Sequence, residues 1–412
     1  MSSASTAAKA SLLGRTFQAF RYRDFRLLWF GAFTSTTGTW MQIVAQSWVV
    51  LQLTGSAFYL GLVSFLGQLP VILFTLVGGV FADRADRRKL LLISQYIQMS
   101  VAVVLTILVY FDLVQIWHFL VLVFVAGSGQ SFGGPAYQAL IPTLVKREDV
   151  PNAIALNSIQ FNLARVVGPV LAGAAFAALG AAVCFGLNAL SFLAVVIALL
   201  LIRTSFVPTQ TGESVLAQIK SGFVYIREQG ALWQLTILGF VSTFCGVPLL
   251  TLLPVFAKDV YGLGATGYSY MMAVSGAGAI TGALAYAALS RTSRQGLFAL
   301  WVQIVFAVFL TLFALLTNLI LSCTILFLTG ACLISLFASI TSLVQLATSE
   351  EMRGRMMSMF MLAFRGGMPL GDLSAGFLAS RFSPQLALVV LSVVLILAAT
   401  SFLLSRSGVK AL

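Results

Sequence analysis

Read from its start, the chain alternates long, almost uncharged apolar stretches with short clusters rich in Arg, Lys, Gly and Pro. A helix needs about twenty apolar residues to cross the hydrocarbon core of a bilayer. It must be a helix or a closed barrel, because lipid cannot satisfy open backbone N–H and C=O groups. Bounded by charge, Pro or Gly, such stretches fall at 27–50, 57–82, 90–111, 116–140, 153–179, 181–202, 232–256, 268–289, 297–317, 319–346, 357–380 and 384–405. The pattern predicts an all-α membrane protein with twelve transmembrane helices.

Loop charges give an independent expectation, since an added or missed span would invert the side of every later loop. Basic residues concentrate on the cytoplasmic side of membrane proteins. With twelve spans, 20 of the 24 Lys and Arg fall on one side; only Lys258 and Arg381 fall on the other, and Arg165 and Arg365 lie within spans. Both termini are therefore expected in the cytoplasm of a multi-pass plasma (inner) membrane protein. The start is polar through Ala10 and lacks an early apolar core, so no cleaved signal peptide is expected.

The chain also repeats itself. Arg165 and Pro169 in the fifth span match Arg365 and Pro369 in the eleventh as R-x-x-x-P, 200 residues apart. Arg84 and Arg87 after the second span match Arg291 and Arg294 after the eighth at an offset of 207. Two nearly equal offsets in equivalent spans predict two pseudo-symmetric six-helix bundles, at 27–202 and 231–405. A cytoplasmic segment 1–26 precedes them and a tail 406–412 follows. The linker 203–230 carries Val215, Ile219, Phe223 and Ile226 at helical spacing. It reads either as an amphipathic helix on the cytoplasmic leaflet or as a plain connecting helix.

Composition removes whole classes of function. The 412 residues are 59% hydrophobic and 9% charged, with a mean hydropathy of +1.00; a soluble domain carries about a quarter charged residues. The net charge of +12 sits in gaps between apolar runs, so it reads as topology and not as a nucleic-acid surface. Cys184, Cys245, Cys323 and Cys332 fall within apolar runs without CxxC spacing, and read as packing residues. One histidine, no paired buried carboxylates and no phosphate-cradling loop give no catalytic constellation and no expected cofactor. Gly276, Gly278 and Gly282 resemble a dinucleotide loop only superficially, since they lie in an apolar span where small residues serve close helix packing.

Between the second and third spans runs GGVFADRADRRK, Gly78 to Lys89. It resembles the signature loop of the major facilitator superfamily. The resemblance covers nearly the whole chain: RYRDFR at 21–26, LTGS at 53–56, Leu253-Pro254 and Arg353-Gly-Arg355 are similar to the enterobactin-exporter (transmembrane secretion effector) branch. It implies the superfamily fold and export by alternating access, with Gly79, Asp83, Arg84, Asp86, Arg87, Arg88, Arg353 and Arg355 as a cytoplasmic gate. In physical terms Gly79 permits close helix approach, Asp83 can accept hydrogen bonds at a neighbouring helix N-terminus, and the arginines can pair with acids of other cytoplasmic loops, together acting as a latch. Gly168-Pro169 with Gly173 partly matches the fifth-helix pattern of antiporters in the superfamily. The sequence departs from it at Arg165 and Ala172, and Val123 stands near the place of the fourth-span arginine of drug/proton antiporters. Direction and coupling stay open at this point.

Charges inside spans are the sharpest clues, because each costs about 2.5–3.5 kcal/mol to insert and normally faces a partner or water. Arg165 shares a helical face with Ser158, Asn162 and Pro169, and Arg365 one with Pro369 and Asp372. Ser35, Thr39, Gln42 and Gln46 repeat that periodicity in the first span, and Gln68, Gln130 and Gln138 add neutral hydrogen-bonding groups. Thr39, Gln42, Gln46, Gln130, Asn162, Arg165 and Arg365 are expected to line a substrate cavity. The alternative for each arginine is a clamp on backbone carbonyls or another helix. Asp372, the sole carboxylate well inside a span, is the proton-coupling candidate, since burial and a nearby arginine pull its proton affinity in opposite directions; a permanent ion pair is the alternative.

The expectation is a secondary transporter, functional as a monomer in the bilayer, exporting a small amphiphilic organic compound such as a siderophore or drug. A lysophospholipid or other lipid carrier would suit the same cavity. A non-transporting scaffold is the alternative from another class.

Overall fold

The computed structural model describes residues 17–84, 86–203, 225–227, 229–289, 294–404 and 408–411, with side chains at 75–84, 410 and 411 outside the description. Every regular element among these residues is helical. After a short turn at Gln18–Arg21 come α1 (Arg23–Thr54), α2 (Ala57–Arg84), α3 (Arg87–Tyr110), α4 (Ile116–Leu140), α5 (Val150–Leu179) and α6 (Ala181–Leu201). The later helices are α7 (Gly230–Gly246), α8 (Pro248–Val255), α9 (Ala265–Leu289), α10 (Gln295–Leu315), α11 (Leu319–Leu346), α12 (Arg353–Arg381), α13 (Pro384–Leu404) and the short α14 (Gly408–Ala411).

Local chemistry sets the boundaries. Gly55 adopts φ 59°, a left-handed conformation costly for other residues, and ends α1 with its N–H donating to the Leu51 carbonyl. Asp86 caps α3, its Oδ1 accepting from the backbone N–H groups of Arg88 (2.9 Å) and Lys89 (3.3 Å). Asn318 caps α11 through the Leu321 N–H. Where the sequence reads as one span at 232–256, the structure breaks the helix between Gly246 and Pro248, because proline has no N–H to continue the ladder. The chain resumes as α8 and widens into a π turn at Phe256–Val260.

Ten helical stretches among the described residues are long and apolar enough to cross a membrane. The two other expected spans, 27–50 and 357–380, fall in α1 and α12, helices of 32 and 29 residues. They have the length but not the apolarity: α1 carries the Ser35–Gln46 polar stripe, and α12 carries Arg365 and Asp372. Ile320, Leu284 and Leu397 are 78%, 68% and 63% exposed, as lipid-facing side chains of a bilayer-embedded protein should be. Of the amphipathic stretch expected at 203–230, only Arg203, 225–227, Gln229 and Gly230 lie within the described residues; Ile226 is buried against the core around Leu232 and Leu235.

Within the first six helices, α1 packs on α5 and α6, and α4 on α2 and α3. Among the later ones, α11 packs on α9 and α10, and α7 on α12. The two sets meet along two main seams, α2 against α12 and α5 against α9.

Their cores differ from end to end. At the end bearing the described chain ends, one cluster (Phe25, Leu28, Leu140, Leu156, Leu199) draws only on residues before 203, and another (Leu232, Leu300, Ile340, Phe360, Val409) only on residues after 225. At the far end a single cluster unites Trp48, Leu60 and Phe119 with Leu252, Phe256 and Tyr268. The helix sets are fused there and separate at the other end.

Candidate functional site

The separation leaves a cavity of about 1640 Å³ between the two sets. Drug-sized pockets occupy about 300–1,000 Å³, so this one has room for a large ligand together with water. It reaches the end bearing the described chain ends, where Gln138 of α4, Asn157 of α5 and Arg355 of α12 line it. Toward the far end it stops at Val50, Leu60 and fully buried Tyr268, whose ring stacks on Trp48 at 6.3 Å between centroids.

The α1 stripe faces the cavity as its spacing requires: Ser35, Thr39, Gln42 and Gln46 all line it. Thr39 Oγ1 donates to the Ser35 carbonyl (3.0 Å), and Gln42 Oε1 accepts from Asn188 Nδ2 (2.7 Å), which fixes the amide from behind. Gln130 also lines the wall and accepts from Gln98 Nε2 at 3.2 Å. Asn162 lines it with its Nδ2 bonded to the Ser158 carbonyl at 2.8 Å. Arg365 is exposed in the cavity, and no hydrogen bond or ion pair reaches it among the described residues.

Arg165 departs from expectation. It does not line the cavity; its guanidinium lies over the Trp40 indole, 5.6 Å from the centroid, and Trp40 supplies the wall. The cause is close packing at that level of α5. A Cβ on Gly168 would collide with Trp40 and the Thr37 carbonyl, and one on Gly276 would meet the Arg165 carbonyl at 3.1 Å. Helices this near leave no cavity for the arginine to enter, so it stacks on the ring by a cation–π contact.

Asp372 sits at the α2–α12 seam, 1% exposed, at the edge of the cavity. Its Oδ2 accepts from Ser64 Oγ of α2 (2.5 Å) and its Oδ1 from Thr251 Oγ1 of α8 (2.8 Å). Gln68 Nε2 extends the chain to Ser64 Oγ at 3.4 Å. No arginine pairs with this carboxylate among the described residues. One carboxylate thus bridges both helix sets through hydroxyls.

A family model described as transmembrane secretion effector matches residues 14–410. The chain belongs to that branch of the major facilitator superfamily. Members similar to it include the multidrug efflux pump Tap of Mycolicibacterium fortuitum, 30% identical over 90% of this chain and 93% of Tap. The enterobactin exporter EntS of Escherichia coli O139:H28 is 26% identical over 87% of this chain and 86% of its own. Among solved structures, an inward-facing, occupied bacterial homologue of the human lysosomal transporter Spinster superposes with a TM-score of 0.76 at 14% identity, covering 94% of this chain and 98% of that one. The chain is accordingly a multi-pass membrane protein with the superfamily's fold.

Its signature loop is partly described. Asp86 serves as the α3 cap, Arg87 Nη1 bonds the Ala139 carbonyl (3.2 Å), and Arg88 bonds the Ile202 (3.2 Å) and Leu200 (2.9 Å) carbonyls at the end of α6. These bonds lie within the first six helices and go to backbone carbonyls. The side chains of Gly79, Asp83 and Arg84 lie outside the described residues. Arg353 is exposed at the start of α12, while Arg355 lines the cavity. Close by, Arg21 pairs with Asp149 at 2.6 Å, and the Tyr22 hydroxyl and Asp149 raise its proton affinity above the ordinary arginine value. His118, at the far end, accepts the Gln115 N–H through Nδ1 (2.9 Å) and closes the α4 capping box.

Sequence reasoning passed over Ser64 and Thr251, which hold Asp372, and Gln95, Gln98 and Gln160 in the wall. The four-residue spacing of Ser64 and Gln68 was a usable signal for the first; Thr251, a lone hydroxyl in an apolar run, offered none.

Proposed function

We propose that this secretion effector is a secondary active exporter of small amphiphilic organic compounds, working by alternating access. The observation that carries the reading is the one-ended cavity: the two helix sets share a core at one end and hold separate cores at the other. Rocking about the α2–α12 and α5–α9 seams exchanges which end is closed. On this reading α1–α6 and α7–α13 are two six-helix halves, α7 and α8 form one broken span, and α1 and α12 complete twelve. Loop charge supports placing the open end in the cytoplasm together with both termini; on that reading the described state is inward-open.

Thr39, Gln42, Gln46, Gln130, Asn162 and Arg365 contact the substrate, and Arg165 braces Trp40 behind the wall. Asp372 takes and releases the coupling proton, its two hydroxyl bonds tying protonation to the seam. Both halves lie in one chain, which serves as a monomer. A multidrug pump and a siderophore exporter among the relatives support the drug or siderophore substrate class.

The test is efflux-direction transport by purified protein in liposomes under an imposed pH gradient, with drugs, catecholate siderophores and lysolipids as candidates. Gradient-driven movement above empty liposomes is the expected result. No movement of any candidate, with no ligand-induced thermal shift, removes the main support for transport. Movement of lysolipids alone replaces the substrate class with the lipid-carrier alternative.

A further inference from the structure

The cavity wall is chemically lopsided. Among the described residues eight glutamines line it, and all eight lie on α1–α5. Facing them, α12 contributes Met357, Met359, Met361 and Leu362. A primary amide both donates and accepts, so a wall of amides recognises hydroxyl, carbonyl and amide groups without requiring charge. Methionine side chains reshape themselves around apolar surfaces of varied outline.

Two of the glutamines are short of partners. Gln95 Oε1 and Gln160 Nε2 are buried without a hydrogen bond, on side chains 9% and 2% exposed. Native proteins seldom leave such groups unpaired, and when they do, an absent partner is the usual reason. Gln98, Gln130 and Gln138 complete this polar wall beside them, the first two already bonded to each other.

Charge in the cavity is equally one-sided. Among the described residues that line the cavity, Asp372 is the one carboxylate; it is almost fully buried, with both oxygens accepting hydroxyl bonds. Arg365 is exposed there with no carboxylate beside it. A cation entering the cavity meets a like charge and finds no available anion among the described residues, which penalises it relative to a neutral or anionic ligand of the same shape.

We propose that the cavity selects neutral or anionic, oxygen-rich amphiphiles over permanent cations. It docks the ligand's hydroxyl, carbonyl or amide face on the glutamines of α1–α5 and its apolar face on the methionines of α12. The inference rests on the transport reading and narrows its substrate class.

The experiment uses two fluorescent amphiphiles with the same dansyl-octyl body, one ending in a gluconamide and the other in trimethylammonium. Each is titrated into the full-length protein in nanodiscs, with empty nanodiscs as the blank. The gluconamide is expected to bind at least about tenfold more tightly, a difference of about 1.4 kcal/mol. A Gln46→Leu/Gln138→Leu double variant is expected to lose most of that preference. Equal or tighter binding of the trimethylammonium probe to the unmodified protein overturns the inference and leaves the exporter reading standing. Binding of neither probe above the blank overturns both. Full preference retained by the double variant overturns the docking face.

Discussion

In the seam between α2 and α12, a methyl group on Gly61 would collide with the Asp372 carbonyl; in the seam between α5 and α9, one on Gly276 would come within 3.1 Å of the Arg165 carbonyl. Both crossings use a glycine to bring backbones together, the usual device where lipid supplies no hydrophobic drive for helix association. The side chains at the crossings then diverge. Asp372 points to hydroxyls of α2 and α8 and joins the two helix sets, whereas Arg165 turns onto Trp40 of α1 and stays within the first set. A bridge between moving parts works as a lock, and a stack inside one part works as a brace. On the proposed alternating-access reading, only the lock changes when the two helix sets rock.

The largest expected effect follows from removing the lock's charge. Asp372→Asn keeps the size and the capacity to accept a hydroxyl bond but cannot take up a proton. Accumulation driven by a pH gradient should fall by more than tenfold while ligand binding, read by thermal shift, stays within a factor of about three. Arg165→Gln, the matching change in the other seam, should retain gradient-driven accumulation. Equal losses in both variants would erase the distinction between the seams, and unchanged uphill transport by Asp372→Asn would take that residue out of the coupling role.

The glycines separate the seams next. Gly61→Ala forces a Cβ into the backbone of α12, while Gly276→Ala asks its neighbours to give by a few tenths of an ångström. Overpacking of the first kind costs about 1–3 kcal/mol, so Gly61→Ala should lower the thermal inactivation midpoint in detergent more than Gly276→Ala. The reverse ranking would show that the α2–α12 seam is the looser one.

Most of the helical layout was legible because lipid imposes a single rule, length with apolarity, on each span. That rule weakens where function puts polar groups, and α1 and α12 are the helices that fall short of it. Pro248 was visible as a residue but not as a break, since largely apolar residues on both sides read as one span. In the site, Ser35, Thr39, Gln42 and Gln46 could be read because four polar residues share one helical face. Ser64 carried a signal only in its spacing from Gln68, and Thr251 was hidden among hydroxyls such as Thr236 and Thr329, which bond their own helix backbone. Arg165 misled for a plain reason: spacing gives the face of a helix, but not how closely its neighbour approaches.

Removing the hydroxyls tests the lock without touching its charge. Ser64→Ala and Thr251→Val each take one donor from a buried carboxylate, and hydrogen bonds to charged groups contribute about 1.5–3 kcal/mol. Each variant should loosen the far-end closure, so that a cysteine placed at Val50 becomes more reactive to a membrane-impermeant thiol reagent from that side. The double variant should exceed either single one. Reactivity equal to the parent in all three would mean that the closure rests on the shared core around Phe256 and Tyr268, not on Asp372.

The smallest expected effect concerns the brace. Arg165 has no carboxylate partner among the described residues, and its one aromatic contact is the Trp40 ring. A cation–π contact contributes about 0.5–1 kcal/mol at exposed sites and up to about 2 kcal/mol when desolvated. Arg165→Lys keeps the charge but loses the flat guanidinium that stacks on indole, so it should cost less than Arg165→Gln, which loses both. If the arginine acts only through Trp40, then Trp40→Leu removes the same interaction, and adding Arg165→Gln to it should cost little more in stability or ligand affinity. Additive losses in that double-variant comparison would mean that Arg165 contacts the ligand directly in another conformation, which would return it to the cavity where its place in the sequence first put it.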